Sequence, residues 1–169
     1  MTDGLKRILS IDGGGIKGVV PAAFLAHVEA TTGKRIVDHF DLISGTSTGG
    51  IIALGLGLGL SASDILDLYI RKGPEIFYQE RGAASLWQRM RGTVIGHLLK
   101  AKRAVMPKYA PDRLRDALAS VFQERALGES RTRLVIPAYH SLRREVYVFK
   151  TAHHPRFQTD WKERALNVA

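Results

Sequence analysis

Gly45-Thr46-Ser47-Thr48-Gly49 sets a serine two residues from a glycine on either side, the G-x-S-x-G spacing of a nucleophile elbow. In such an elbow a tight turn lifts the hydroxyl above a sheet, and glycines let neighbouring backbone pass closely. With 17 glycines in 169 residues the spacing alone is weak, so its surroundings decide. A short apolar run, Phe40 to Ser44, precedes it and a small-residue helix from Gly50 to Leu58 follows. Ser47 would therefore sit near a helix N-terminus, whose dipole and free N–H groups favour developing negative charge. The plainer alternative is a glycine-rich turn with a capping serine.

A second cluster, Gly13-Gly14-Gly15-Ile16-Lys17-Gly18, also follows a strand-like run and precedes a helix. Its G-x-G-x-x-G spacing fits a dinucleotide fingerprint, which expects an acid about twenty residues on. Asp38 and Asp41 have the distance but precede their strand. The rival role is an oxyanion hole, with successive amides aimed at one point, a donor of this kind being worth roughly 3 kcal/mol in kcat. Two loops at the carboxyl ends of parallel strands converge on one crevice, so an ester-cleaving serine with its oxyanion donors explains both clusters, whereas a nicotinamide-cofactor enzyme explains one. A Ser-Asp-His triad is permitted by the order of His140, His153 and His154, but the paired histidines before Pro155 read more simply as a surface turn. His27, His39 and His97 have no partner at metal-ligand spacing.

The elements that must hold these loops follow from pattern. Leu5 to Ile11 is expected to be a buried strand, Val19 to Ala30 a helix closed by Gly33, and Ser61 to Arg71 a helix with Ser61 as N-cap and Asp64 in a capping box. Pro111 to Gln123 reads as another helix. Leu134 to Tyr139 and Glu145 to Lys150 read as a hairpin, and Asp160 to Ala169 as the start of a last helix capped by Asp160 with Glu163. This succession is that of an α/β domain.

Composition bounds the rest. The chain has 45% hydrophobic and 24% charged residues, as a folding globular chain does, and no cysteine, which removes disulfides, Cys-ligated metals and thiol nucleophiles. The longest apolar run, Ile51 to Leu60, is too short to span a bilayer, and no secretory signal opens the sequence. The net charge is +9, yet Arg81 to Arg115 alone holds nine Lys or Arg against one acid, Asp112. This basic stretch is a solvated surface or a receptor for anionic headgroups or a phosphorylated ligand, with nucleic acid the weakest reading for want of any recognition motif. Within it Trp87, Met90 and Val94 recur at helical spacing, so Ala84 to Leu99 is either an interfacial amphipathic helix or a buried one.

Taken together, Leu9-Ser10-Ile11-Asp12-Gly13-Gly14-Gly15-Ile16-Lys17-Gly18 and Phe40-Asp41-Leu42-Ile43-Ser44-Gly45-Thr46-Ser47-Thr48-Gly49-Gly50 resemble the patatin-like phospholipase family, most strongly over residues 7 to 58 and weakly between 80 and 110. The resemblance implies a three-layer α/β/α sandwich with a mainly parallel central sheet. It also implies cleavage of phospholipid or galactolipid acyl esters by a Ser/Asp dyad that needs no cofactor and no metal. By position Ser47 resembles the nucleophile and Gly13, Gly14 and Gly15 the oxyanion loop within residues 12–18. Lys17 takes the place of the family's basic loop residue, and Asp12, Gly18, Gly45 and Gly49 support the two motifs, Asp12 by tying down its loop. The implied partners are a membrane phospholipid surface and, as in some bacterial relatives, a phosphorylated small-molecule activator. A cytoplasmic protein transiently at the membrane fits that picture. The family's acid lies in an Asp-Gly-Gly or Asp-Gly-Ala turn after the serine, whereas the Asp-Gly pairs here, Asp3-Gly4 and Asp12-Gly13, both precede it. The chain is therefore expected to be the N-terminal part of such a domain, with residues of about 80–110 as a basic insert, the dyad acid missing and the fragment hydrolytically inactive alone.

Overall fold

A computed structural model describes residues 4–77, 111–152 and 154–169. The basic stretch, the amphipathic pattern of Ala84 to Leu99 and His153 lie outside the described residues, apart from the portion of the basic stretch that enters the helix beginning at Pro111.

Four strands form one sheet in the order β1 (Ile8–Ile11), β2 (Leu42–Gly45), β3 (Arg133–His140) and β4 (Glu145–Lys150). The first three are parallel, with Ile11 level with Gly45 and Ser44 level with Val135. β4 returns antiparallel from the turn at residues 141–144, pairing His140 with Glu145 through Val135 with Lys150. The mainly parallel α/β sheet and the hairpin agree with the sequence pattern. β1 is shorter than the expected strand: Leu5 is exposed outside it, and Ile8 at its start is exposed as well.

After β1 a 3₁₀ turn at Gly15–Gly18 leads into α1 (Val19–Thr32), which ends at Gly33 with φ 66°, the left-handed C-cap that glycine adopts freely. A four-residue helix, α2 (Ile36–His39), precedes β2, and α3 (Thr48–Gly57) follows it directly. Every residue of α3 is buried. A helix apolar all round belongs inside the molecule, and its glycines let it sit closely among its neighbours: a Cβ on Gly55 would meet the Ile65 side chain at 2.9 Å. Ile52, Leu54 and Leu56 join Ile43, Leu134 and Ile136 of the sheet in the core.

Two guanidinium groups close the far end of this buried helix. Arg125 Nη1 donates to Leu58 O at 2.6 Å and Arg35 Nη2 to Gly59 O at 2.8 Å, satisfying carbonyls that the helix cannot and complementing its negative end. Next comes α4 (Ala62–Phe77), opened by the expected capping box: Asp64 N donates to Ser61 Oγ and Ser61 N to Asp64 Oδ2, each at 2.9 Å. It runs past the Arg71 limit read from the sequence because Pro74 is accommodated inside it. After the undescribed stretch, α5 (Pro111–Phe122) packs against α4 and against the short α6 (Ala165–Val168).

The expected continuous helix from Asp160 is not formed. Asp160–Lys162 is a single 3₁₀ turn, Glu163 and Arg164 are extended, and only Ala165–Val168 is helical. The sequence pattern makes Asp160 an N-cap, but its carboxylate is buried and turned to the hairpin. There it accepts the Tyr147 hydroxyl at 2.5 Å and the Lys150 amide at 3.1 Å. A carboxylate taken up by a neighbouring strand cannot also cap the helix that follows it.

Candidate active site

Ser47 stands between the end of β2 and the start of α3 with φ 53° and ψ −126°. A non-glycine residue in that quadrant crowds its Cβ against the backbone, at a cost of order 1–3 kcal/mol, so the surrounding turn must impose it. The turn does so through its two glycines. A Cβ on Gly45 would collide with the Gly49 carbonyl, and one on Gly49 would collide with the Ile11 carbonyl of β1. The turn is closed by Gly49 N donating to Thr46 O at 2.9 Å and Ile51 N to Ser47 O at 3.2 Å.

Although Ser47 occupies the N-cap position of α3, its hydroxyl makes no capping hydrogen bond, and the residue is exposed. A capping serine would have spent its hydroxyl on the helix amides. Here the side chain points free, with no hydrogen-bond partner among the described residues, at the amino end of a helix whose body is shielded from water.

The early glycine loop lies directly against it. A Cβ on Gly13 would fall 2.6 Å from Thr46 O and 2.8 Å from Ser47 Cβ, so only a glycine backbone passes at that distance. The two threonines flanking Ser47 pin the loop: Gly13 N donates to Thr46 Oγ1 at 3.2 Å and Gly14 N to Thr48 Oγ1 at 3.1 Å. Thr46 N in turn donates to Ile11 O at 3.3 Å. The amide of Gly15, first in its 3₁₀ turn, has no acceptor among the described residues. These threonines were not singled out in the sequence, although their place at both variable positions of the elbow was visible there. Asp12, expected to tie down the loop, is exposed and its carboxylate has no hydrogen bond among the described residues. The Thr46 and Thr48 hydroxyls do that work. Lys17 is exposed in the loop.

Behind the elbow Tyr69 of α4 supports both loops. Its hydroxyl donates to Thr48 O at 3.2 Å, and a Cβ on Gly18 would lie 2.7 Å from that hydroxyl. Burial pushes the Tyr69 phenol up to about 12, against a smaller opposing pull from the Thr48 side chain. A phenol whose folded value exceeds its unfolded value of 10.0 stabilises the fold fully below that pH, and the contribution disappears as pH climbs towards 12. About 2–3 kcal/mol is at stake. The melting temperature should accordingly fall more steeply between pH 10 and 12 in the native sequence than in Tyr69→Phe. Parallel curves would mean that the phenol is not held neutral by burial.

The remaining candidates are occupied elsewhere. Asp38 accepts the Arg35 amide at 3.1 Å and Asp41 the Arg7 amide at 2.9 Å. That amide and the Lys6 ammonium hold the Asp41 carboxyl below the usual carboxylate range. Neither acid is presented to the glycine loop as a dinucleotide fingerprint would need. The rings of His140 and His154 accept the Arg143 and Arg156 amides within their own turns. Neither is bonded to Ser47. Among the described residues no three His, Asp or Glu side chains gather as metal ligands would.

A strained, exposed serine thus stands at a strand-to-helix corner of a mainly parallel α/β sheet, with a glycine loop packed against it. The sequence matches the patatin-like phospholipase family over residues 9–169, and the chain belongs to that family. It is 35% identical over 163 residues to a cGAMP-activated phospholipase of Pseudomonas aeruginosa, covering 96% of this chain and 45% of that protein. A cGAMP-activated phospholipase of Vibrio cholerae is 31% identical, with 96% and 46% covered. Patatin-like protein 3 of Arabidopsis thaliana is 32% identical, with 87% and 37% covered. The chain thus spans less than half the length of these curated relatives.

Proposed function

We propose that the complete protein is a serine lipid acyl hydrolase of the phospholipase A type, with Ser47 as nucleophile. The observation that carries this reading is the free, exposed Ser47 hydroxyl at φ 53°, with the Gly13 backbone packed against its Cβ. Attack on an ester carbonyl makes a C–O bond to Ser47 and drives charge onto the carbonyl oxygen, and the donors for it come from the Gly13–Gly15 segment. The Gly15 amide has no acceptor among the described residues, and an alkoxide is a far stronger acceptor than the neutral Thr48 hydroxyl that holds the Gly14 amide. The positive end of α3 adds to the same effect.

Proton removal from Ser47 needs a base within hydrogen-bond reach, and none is bonded to it among the described residues. We assign that role to an aspartate outside these residues, in keeping with the small share of its relatives' length that the chain spans. Contact with a phospholipid surface is supported by Lys17 in the loop and by Val20 and Phe24, exposed one helical turn apart on α1. No helix among the described residues is long and apolar enough to cross a membrane. The test is covalent: a fluorophosphonate should label the complete protein at Ser47, found by peptide mass. Labelling at another serine would remove Ser47 from the role.

A second reading concerns control. Two relatives at 35% and 31% identity are named for activation by cGAMP, which favours a nucleotide-type activator for this protein also. Fatty-acid release from vesicles by the complete protein should then rise at least tenfold when cGAMP is added. Equal release with and without it would exclude this control.

A further inference from the structure

The β3–β4 hairpin overshoots the rest of the sheet. Ser44 of β2 is level with Val135 and β2 ends at Gly45, but β3 continues to His140 before the chain turns back. The further residues, at about 3.3 Å each, carry the tip roughly 16 Å past that level, at the same end of the strands as Ser47. The strand order β1-β2-β3-β4 therefore sets two projections on opposite sides of Ser47. One is the Gly13–Gly18 loop with the start of α1, beyond β1, and the other is this hairpin, beyond β3.

The projecting part carries apolar side chains that no described residue covers. Leu142 in the turn is 91% exposed, and Tyr139 and Val146, directly opposite each other across the hairpin, are 65% and 70% exposed. A turn that only joined two strands would be expected to carry small polar residues there. The tip is also cationic. Arg143 and Arg144 follow Leu142, and of these only Arg143 has a carboxylate partner among the described residues, Glu145 at 3.7 Å. His140 Nδ1 accepts the Arg143 amide at 3.2 Å, which holds the turn and keeps Leu142 presented.

Shape and charge together select the occupant. A narrow convex tip is poorly suited to a protein contact of the usual size, about 800 Å² on each partner. A bilayer surface takes such a tip by depth, with leucine and tyrosine among the lipids and guanidinium groups at the level of anionic headgroups. On the other side of Ser47, Lys17 with the exposed Val20 and Phe24 repeats the combination of a cation and apolar groups.

We infer that the hairpin tip inserts into anionic bilayers and, with the Lys17 side, holds Ser47 between two lipid contacts. The inference deepens the reading of a lipid hydrolase, and its biological sense rests on that reading, by naming the surface that meets the lipid and the charge of that lipid. Vesicle binding by the complete protein is titrated by sedimentation in the Ser47→Ala form, so that no product accumulates and the outcome does not depend on which serine is the nucleophile. Vesicles of phosphatidylglycerol mixed equally with phosphatidylcholine should bind at least tenfold more tightly than phosphatidylcholine alone. Leu142→Asp should weaken binding to the mixed vesicles tenfold or more, and Arg144→Gln should weaken it severalfold and reduce its sensitivity to salt. Leu142→Trp should gain quenching by bromine-labelled acyl chains relative to its parent. Melting temperature and mass in solution should stay those of the parent in each variant. Unchanged binding in Leu142→Asp, or equal affinity for the two vesicles, would overturn the inference. A lowered melting temperature or a lost self-association in Leu142→Asp would overturn it as well, assigning the tip to another part of the polypeptide or to a second copy. Failure of the fluorophosphonate to label Ser47 would remove the catalytic reading and leave this binding result standing.

Discussion

Ser47→Ala in the complete protein should reduce fatty-acid release from phospholipid vesicles by about 10⁴-fold or more while leaving the melting temperature nearly unchanged. The two halves of this expectation have separate physical origins. Removing the oxygen that forms the acyl bond leaves only the polarising effect of the glycine loop on water attack. Stability is spared because the hydroxyl holds nothing: it does not cap α3 and bonds to none of the described residues. Alanine also retains the same Cβ, so the crowded backbone of the elbow is no worse than before. Exposed positions away from caps and buried networks usually change stability by no more than about 0.5 kcal/mol. Retained release would eliminate Ser47 as the nucleophile, and a large drop in melting temperature would show that the hydroxyl has a structural role after all.

Gly49→Ala should have the opposite profile, losing the fold first and activity as a consequence. The added methyl would be driven into the Ile11 carbonyl, with the Asp12 carbonyl 3.0 Å away. Both obstacles are backbone and cannot rotate aside. Relief requires α3 to back away from the end of β1, and α3 is enclosed by the core on every side. Overpacking of this kind costs typically 1–3 kcal/mol and here should reach about 3 kcal/mol or more, read from urea melts against the native protein. Gly33→Ala is the informative comparison. Nothing lies within 4 Å of a Cβ there, so its cost comes from the positive φ of 66° alone and should be smaller. Equal costs at the two positions would mean that the elbow is not tightly packed.

The contrast between those glycines also shows what the sequence could reveal. The elbow and the early loop were legible because each depends on glycines at fixed offsets, where close backbone approach leaves no other residue possible. The capping box of Ser61 and Asp64 was legible for the same reason, since both partners lie within one turn. Asp160 with Glu163 displays the same local spacing, yet Tyr147, thirteen positions earlier, claims the carboxylate. A pattern read locally gives no account of a competitor brought in by the sheet. Likewise α4 continues through Pro74, which a sequence rule takes as a stop, and the four-residue α2 is too short to leave a periodic trace. Thr46 and Thr48 leave no local trace because their hydroxyls accept from the Gly13 and Gly14 amides 33 and 34 positions away, a pairing set by the parallel alignment of β1 with β2.

The torsion of Ser47 carries a consequence for how such a protein drifts under mutation. Glycine at that position would relax the bend and remove the reactive oxygen in a single change, so greater robustness and loss of chemistry lie in the same direction. Random exploration of sequence rewarded for endurance alone would empty this corner early. If Ser47 is the nucleophile proposed above, its chemistry is held at this corner against the molecule's own thermodynamic preference.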